Sequence, residues 1–438
     1  MVASPRALED FLQQIRKRGA RGAEVLVEHA DFRETASHRR GQPSARTWTE
    51  SRVTGRCWDD QGRLGIATTE QQDVLVALEL ALARCATASP DGMEGPAERL
   101  GGANRGLNID DRRLPGLTDE ERLEVVVGNE RAAGRESASV ETGVFSLREE
   151  RAHRIFGSSR GVMHEEWGTT FTCRASVTMR TDNGSFSLHD ELLGRAFANV
   201  ACLPFGAVLG QRGVALSQPG VPIDGPVRVL LPPRATGKLI AWLGDCFARS
   251  SAARGGTFLD QPGLTVNKRL HLIDDGLMHG GVRTRAFDDR GVPAVPLTLL
   301  REGVVDARYV TVRDARARDL RPTGHEHAGQ LTPTNLVLNS GTRSIHALLS
   351  ELGGTVFQID DLPETAGIDP VTGAVDVPVN GVILERGKPV GALRGARLTG
   401  DLVTALNRVA ALASDTDRVL HIDAPGLFLD GFSVVGGA

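Results

Sequence analysis

A helix-borne zinc peptidase site requires two histidines on one helical face with a glutamate beside the first: the imidazoles hold the metal and the carboxylate activates its water. Eleven histidines occur in this sequence and no two of them are four or five residues apart, so neither HExxH nor HExxxH can be written in it. His164-Glu165-Glu166 and His189-Asp190-Glu191 begin such patterns, but neither has its second histidine, and Trp167-Gly168 carries the first into a strand. Both read as surface or interface residues. His325-Glu326-His327 gathers three ligand-type side chains in a glycine-flanked loop. A metal site also draws ligands from a second segment, and the sequence singles none out.

Three aspartate pairs, Asp274-Asp275, Asp288-Asp289 and Asp360-Asp361, would supply acid–base or metal-binding carboxylates if they converged. The simpler reading makes them turn formers whose carboxylates accept backbone hydrogen bonds. Gly157-Ser158-Ser159-Arg160-Gly161 has the letters of a nucleophile elbow but falls between two strands, so a β-turn is expected. Gly237-Lys238 lacks the preceding glycine and the hydroxyl residue of a phosphate loop, and is read as the start of a helix.

The elements that must position these residues are mixed. Ser4 caps and Pro5 opens a helix whose Leu8, Phe11, Leu12 and Ile15 form one stripe, and Gly19 stops it. Strands are expected at 23–29, 45–54 and 64–68, then a helix with Val74, Leu78, Leu82 and Cys85 on one face. Residues 89–106, rich in Gly, Pro, Ala and Asn, read as a linker or exposed loop. Thr118 and Glu121 make a capping box for a third helix; 137–180 reads as strands with turns at Gly157 and Asn183-Gly184, and 189–197 as a helix. From Pro226 a strand leads into a helix that buries Leu239, Trp242, Leu243, Cys246 and Phe247. Beyond it nearly everything reads as sheet. Hairpins are expected at Glu302-Gly303, Thr372-Gly373 and Arg386-Gly387, one helix around Leu402 and Leu406, and a closing strand over 427–435.

A chain of 438 residues implies two or three domains, and 40% hydrophobic with 24% charged residues is ordinary for a soluble globular protein. The net charge of -4 leaves no cationic excess to neutralise phosphates, which argues against nucleic acid as a partner. No segment approaches the ~20 apolar residues of a membrane span, and the N-terminus lacks the apolar run of a signal peptide. The five scattered cysteines, 57, 85, 173, 202 and 246, form no CxxC pair and suit reduced thiols, so the chain is read as cytoplasmic.

Residues 287–310, FDDRGVPAVPLTLLREGVVDARYV, place an Asp-rich turn and a Gly-x-Pro before a hairpin. Arg321-Pro322-Thr323-Gly324-His325 forms a Thr-Gly loop, and residues 367–400 read GIDPVTGAVDVPVNGVILERGKPVGALRGARLTG. In order and spacing these resemble the TldD/PmbA (TldE) metallopeptidase family, and the likeness extends more loosely over the N-terminal half. The resemblance implies an α+β fold: an N-terminal α/β domain (1–115) with helices packed on a sheet, a middle region (116–222) completing that half, and a β-rich C-terminal domain of TldD/PmbA type (226–438). In the catalytic TldD-type subunits it implies an HExxxH helix after the first C-terminal strand and a cysteine near the C-terminus, which together bind zinc. Here that helix reads Leu239-Ile240-Ala241-Trp242-Leu243-Gly244-Asp245-Cys246-Phe247, and residues 415–426 contain no cysteine. The resemblance therefore implies a TldE-like subunit without catalytic or metal-ligating residues, with zinc in a TldD-like partner and a small or unfolded peptide as substrate. Asp288, Asp289, Thr323, Gly324, His325 and Asn335 are the residues expected along the substrate channel. Two alternatives stay open: a stand-alone enzyme rebuilt around His325, Glu326, His327, Asp288 and Asp289, and a PmbA-like regulatory or binding protein.

Overall fold

The computed structural model describes residues 4–436 apart from 39–42, 71–72, 99, 102–105, 183, 202–203, 252–255 and 364–366. Asn183 and Cys202 fall outside the described residues.

α1 (Pro5–Lys17) begins as its sequence dictates: the Ser4 side chain accepts the Ala7 N–H, and Leu8, Leu12 and Ile15 are buried. β1 (Gly22–His38), β2 (Ser44–Trp58) and β3 (Leu64–Thr69) form an antiparallel meander, and α2 (Val74–Arg84) follows. α3 (Asp119–Arg135) opens on the expected capping box between Thr118 and Glu121. β4 (Val140–Ser158), β5 (Met163–Thr181) and β6 (Gly184–Gly194) complete one sheet of order β3-β2-β1-β4-β5-β6. Segments 1–115 and 116–222 therefore share a sheet, with β1 hydrogen-bonded to β4.

Side chains alternate across a strand, so the sheet has two distinct faces. Val25, Val27, Val53 and Ile155 join the core under α1 and α2, and Phe145, Leu147, Phe171 and Cys173 join a second core with α3. The other face carries the even-numbered residues of β1, β4 and β5.

The helix expected over 189–197 is instead the end of β6, which pairs with β5 from Thr181↔Gly184 to Phe171↔Gly194. Its polar stretch pairs along an edge strand, and the hairpin overrides local helix preference. Helices follow as α4 (Phe197–Ala201) and α5 (Phe205–Leu216). α5 escapes recognition in the sequence because of Gly206, Gly210 and Gly213, poor helix formers. The structure explains them: a Cβ at Gly206 would lie 1.9 Å from the Asn129 carbonyl oxygen of α3.

The C-terminal half contains β7 (Gly225–Leu231), α6 (Pro233–Ser251), β8 (Leu272–Asp274), β9 (Leu297–Arg301), β10 (Val304–Val305), α7 (Val312–Arg318), β11 (Glu326–His327), β12 (Gln330–Leu331) and β13 (Leu336–Leu338). It continues through α8 (Ile345–Leu352), β14 (Thr355–Asp361), β15 (Ala374–Glu385), β16 (Lys388–Asp401), α9 (Leu402–Asn407), β17 (Val409–Val419) and β18 (Ile422–Val435). β7, β14, β15, β16 and β18 pair in sequence, and β18 returns to β7, closing a ring of strands. Leu239, Trp242, Leu243 and Phe247 of α6 fill this domain's core. The hairpins at Glu302-Gly303 and Arg386-Gly387 form with both central residues at positive φ, as a two-residue turn between twisted strands requires. This half is less uniformly sheet than its composition suggests. Among the described residues, 256–296 hold the single short strand β8, and side-chain caps at Thr311 and Ser344 start α7 and α8.

Candidate functional site

β8 delivers Asp274, fully buried, to the centre of the C-terminal domain. Its carboxylate accepts the Tyr309 hydroxyl at 2.7 Å, the Thr334 N–H at 2.9 Å and the Thr334 hydroxyl. The His325 ring lies 4.8 Å from the Tyr309 ring, with Nε2 3.6 Å from Asp274. Burial, only partly offset by Asp274, pulls the His325 pKa below its ordinary value and keeps the ring neutral. Asn335 is equally internal: its side chain bonds the Asp275 carbonyl, the Thr284 hydroxyl and the Arg283 N–H. Thr323 exchanges bonds with the backbone of Val310.

Gly324 sits at φ +74°, and a Cβ there would lie 2.5 Å from the Pro293 carbonyl oxygen and 2.8 Å from the Ala294 Cα. Backbone atoms cannot swing aside as a flexible side chain would. Gly324→Ala is therefore expected to cost about 2 kcal/mol, from the left-handed conformation plus the clash. Thermal denaturation checks this, and an unchanged midpoint would refute it.

The turn at Asp288-Asp289-Arg290 joins the two halves of the chain. Asp288 behaves as a turn former, accepting N–H groups from Arg290, Val292 and Glu326 at 2.9–3.1 Å. Burial and the nearby Glu326 carboxylate raise its pKa. Asp289 faces the N-terminal sheet and meets Arg154 at 2.6 Å, the Ala328 N–H at 2.7 Å and His327 Nδ1 at 3.2 Å. Burial would raise its pKa, but the hydrogen bond from His327 and the charge of Arg154 outweigh that and hold it well below the usual range. Arg290 reaches Glu24 at 2.9 Å on the same sheet face, and Arg56 donates to the Asp289 carbonyl.

The other candidates separate. His325 points into the core, the Glu326 carboxylate accepts the Val312 N–H, and His327 turns outward to Asp289 and Arg285. The three aspartate pairs do not converge: Asp360 is bound by Arg212, and Asp361 by Arg234 and Lys238, in a separate ion-pair network that also includes Asp190. Residues 157–161 form the β4–β5 turn, where the Ser159 hydroxyl accepts the Ala23 N–H. Gly237-Lys238 lies inside α6. Among the described residues, no three His, Cys, Asp or Glu side chains are grouped to hold a metal ion.

The open volume lies beside these buried residues. A cavity of about 730 Å³ is floored by the N-terminal sheet and edged by Thr284, Arg285 and His327 of the C-terminal half. Its floor follows from strand register. Ala30, Ala152 and Gly168 stand side by side across β1, β4 and β5, and their small size leaves the hollow. Two residues along, Arg52, Glu28, Arg154 and Glu166 form a charged row, and on the other side Trp48, Phe32, Glu150 and Thr170 form the next. Arg195 crosses over Gly168 and donates to the carbonyls of Thr169, Gly281 and Thr284. Of the six residues expected along a channel, all are buried and none lines this cavity. Sequence reading missed Arg195, Arg285 and Glu150, because only the register aligns the small row that exposes them.

With this geometry in place, comparison with known proteins is informative. Residues 224–436 match the PmbA/TldA metallopeptidase C-terminal domain. The C-terminal half is therefore a domain of the TldD/PmbA family. Metalloprotease PmbA of Escherichia coli O157:H7 is 22% identical over 392 residues, spanning 86% of this chain and 84% of that protein. The crystal structure of TldE from Thermococcus kodakarensis superposes with a TM-score of 0.85 at 16% identity, covering 98% of this chain and all of that one. A Bacteroides thetaiotaomicron structure described as a candidate modulator of DNA gyrase gives 0.87 at 16% identity over the whole of both chains. These structural likenesses establish the fold.

A zinc site of TldD type does not fit the residues at the corresponding place in this chain. α6 contributes Leu239, Ile240, Trp242 and Leu243 to the apolar core, and burial pushes the Cys246 thiol up to about 12, so it stays protonated. Asp245 is the single carboxylate in 239–247, and residues 415–426 bring one imidazole, His421. The cation Arg283 already acts on both: it opposes the burial that raises the Asp245 pKa, and adds to the burial that lowers that of His421. The carboxylates of 415–426 are engaged elsewhere, Asp415 by the Ile345 N–H, Asp417 by the Arg418 N–H and Asp423 by the Arg418 side chain, so these described residues do not assemble the donor set of a zinc site.

Proposed function

We propose that this chain is a TldE-like, non-catalytic subunit of a heterodimeric TldD/TldE zinc metallopeptidase that cleaves small or unfolded peptides in peptide or natural-product maturation. The observation that carries this reading is the apolar packing of α6, which places leucines and a tryptophan where a catalytic subunit needs metal donors. The zinc and its activated water then belong to the TldD-like partner, and this chain shapes the enclosed space. The loops carrying Asp288, Asp289, Thr323, Gly324, His325 and Asn335 form the rigid wall behind the groove, and the neighbouring Arg285 and His327 face the peptide. The divergence of His325, Glu326 and His327 weighs against a rebuilt stand-alone site in that loop. A cytoplasmic location agrees with four described cysteines that are free and buried. No helix among the described residues is long and apolar enough to cross a membrane.

Metal analysis and peptide cleavage should be measured on the purified chain alone and after co-expression with a TldD-like protein from the same genome. Zinc and cleavage are expected in the complex only. Stoichiometric zinc or turnover in the isolated chain would contradict the proposal.

A further inference from the structure

Four of the charged residues around the cavity are paired within the protein: Glu28 is held by Arg52 and Arg154, Glu166 by Arg154 and the Ala286 N–H, and Arg154 by Asp289 as well. Glu50, which accepts the Trp48 indole N–H, and Glu70 have no ion pair to a described residue. Three more, close to the small floor residues, have none either. Arg195 donates to neutral oxygens only, and no carboxylate of the described residues lies within ion-pair distance of it. Arg285 stands 3.3 Å from His327 Nδ1, which also faces Asp289, and has no other hydrogen-bond contact among the described residues. Glu150 stands in the row beside the small floor residues with no ion pair or hydrogen bond to a described residue. Burial lowers the pKa of both guanidinium groups, and neighbouring cations add to it, Arg285 on Arg195 and Arg154 on Arg285, although Glu166 and other nearby carboxylates act the opposite way. Two like charges held together and partly withdrawn from water are unfavourable unless an anion completes them.

The geometry points to a site for a short zwitterionic peptide, its terminal carboxylate received by Arg195 and Arg285 and its ammonium group by Glu150. A guanidinium matches a carboxylate through paired, charge-assisted hydrogen bonds. Arg195 also bonds the Thr170 hydroxyl, and Thr170 is the cross-strand partner of Glu150, so the anionic and cationic subsites are neighbours. The cavity volume of about 730 Å³ lies within the range of small-ligand pockets. The five carboxylates that line it, Glu28, Glu50, Glu70, Glu150 and Glu166, disfavour a polyanion such as phosphate. This inference deepens the proposed function and rests on it for the choice of a peptide as ligand, but its test is separate, since the site lies within one chain and needs no zinc or partner.

Isothermal titration calorimetry on the purified full chain tests it, using trialanine with free ends, its C-terminal amide, its N-acetyl form and inorganic phosphate. Trialanine should bind saturably, the amide and the acetylated form about tenfold more weakly or worse, and phosphate far more weakly than trialanine. Arg285→Gln should abolish the preference for acid over amide, and Glu150→Gln the preference for free over acetylated amine. The peptide series on the unaltered chain decides the matter even if a variant misfolds. The proposal is overturned if acid and amide bind equally, if phosphate binds as tightly as trialanine, or if no peptide shows saturable heat. Such failure would leave the zinc-partner reading untouched, because that reading is judged by metal content and cleavage.

Discussion

Replacing Asp274 by alanine is expected to destabilise the C-terminal domain by about 4 kcal/mol, since it strands several buried donors that each cost ~1–3 kcal/mol when unpaired. Those donors are the Tyr309 hydroxyl and the N–H and hydroxyl of Thr334, all turned toward a carboxylate with no exposed surface. Tyr309→Phe alone should cost about 1–2 kcal/mol, and close to nothing once Asp274 is gone, because the lost bond is shared. Urea denaturation of the two single variants and the double variant measures this coupling. A change below about 0.5 kcal/mol for Asp274→Ala, the range of an ordinary surface substitution, would show that the cluster is dispensable.

The second large effect concerns the contact between the two halves. Arg154→Met should cost roughly 4 kcal/mol, because it leaves Asp289 and Glu166 close together and mostly buried without this cation, with Glu28 beside them held by Arg52 alone. Arg174→Met makes the control: its pair with Glu191 is half exposed, and its loss should cost no more than about 1 kcal/mol. Equal effects from the two variants would mean that Arg154 does not clamp the domains. The same contact has a pH signature. The Asp289 pKa is lower in the folded chain than in the unfolded one, so its contribution is fully present above the ordinary aspartate pKa of about 3.9 and is lost as the pH falls further. Between pH 5 and pH 3 the parent should therefore lose stability more steeply than Asp289→Asn. At higher pH a different slope applies. His325 and His421 have folded-state pKa values below the ordinary value of about 6.5, so stability is complete above that pH and declines as the unfolded chain takes up protons below it. Denaturation midpoints measured across this range would reveal both windows.

Local features were legible because their causes lie within a few residues. The Ser4 cap, the Thr118–Glu121 box and the turns at Glu302-Gly303 and Arg386-Gly387 each depend on four or five neighbouring residues, and all formed as read. Local reading failed where a distant partner overruled it. Residues 189–194 read as helix by local preference and become strand through pairing with β5, and the glycines that hide α5 in the sequence serve its contact with α3.

The candidate site divides in the same way. By itself the sequence determined that no zinc helix can be assembled, since histidine spacing is a property of the linear chain; it offered a turn as the simpler role for Asp288 and Asp289, which Asp288 fulfils while Asp289 pairs with Arg154. Only the tertiary structure decided which charged groups meet. Arg154 and Asp289 are 135 residues apart in sequence, and the row Ala30, Ala152 and Gly168 exists only in the register that pairs β1 with β4 and β4 with β5. Shifting one strand by a single residue would turn its side chains to the opposite face and fill the hollow. The cavity is therefore a consequence of register, which residue types alone do not specify.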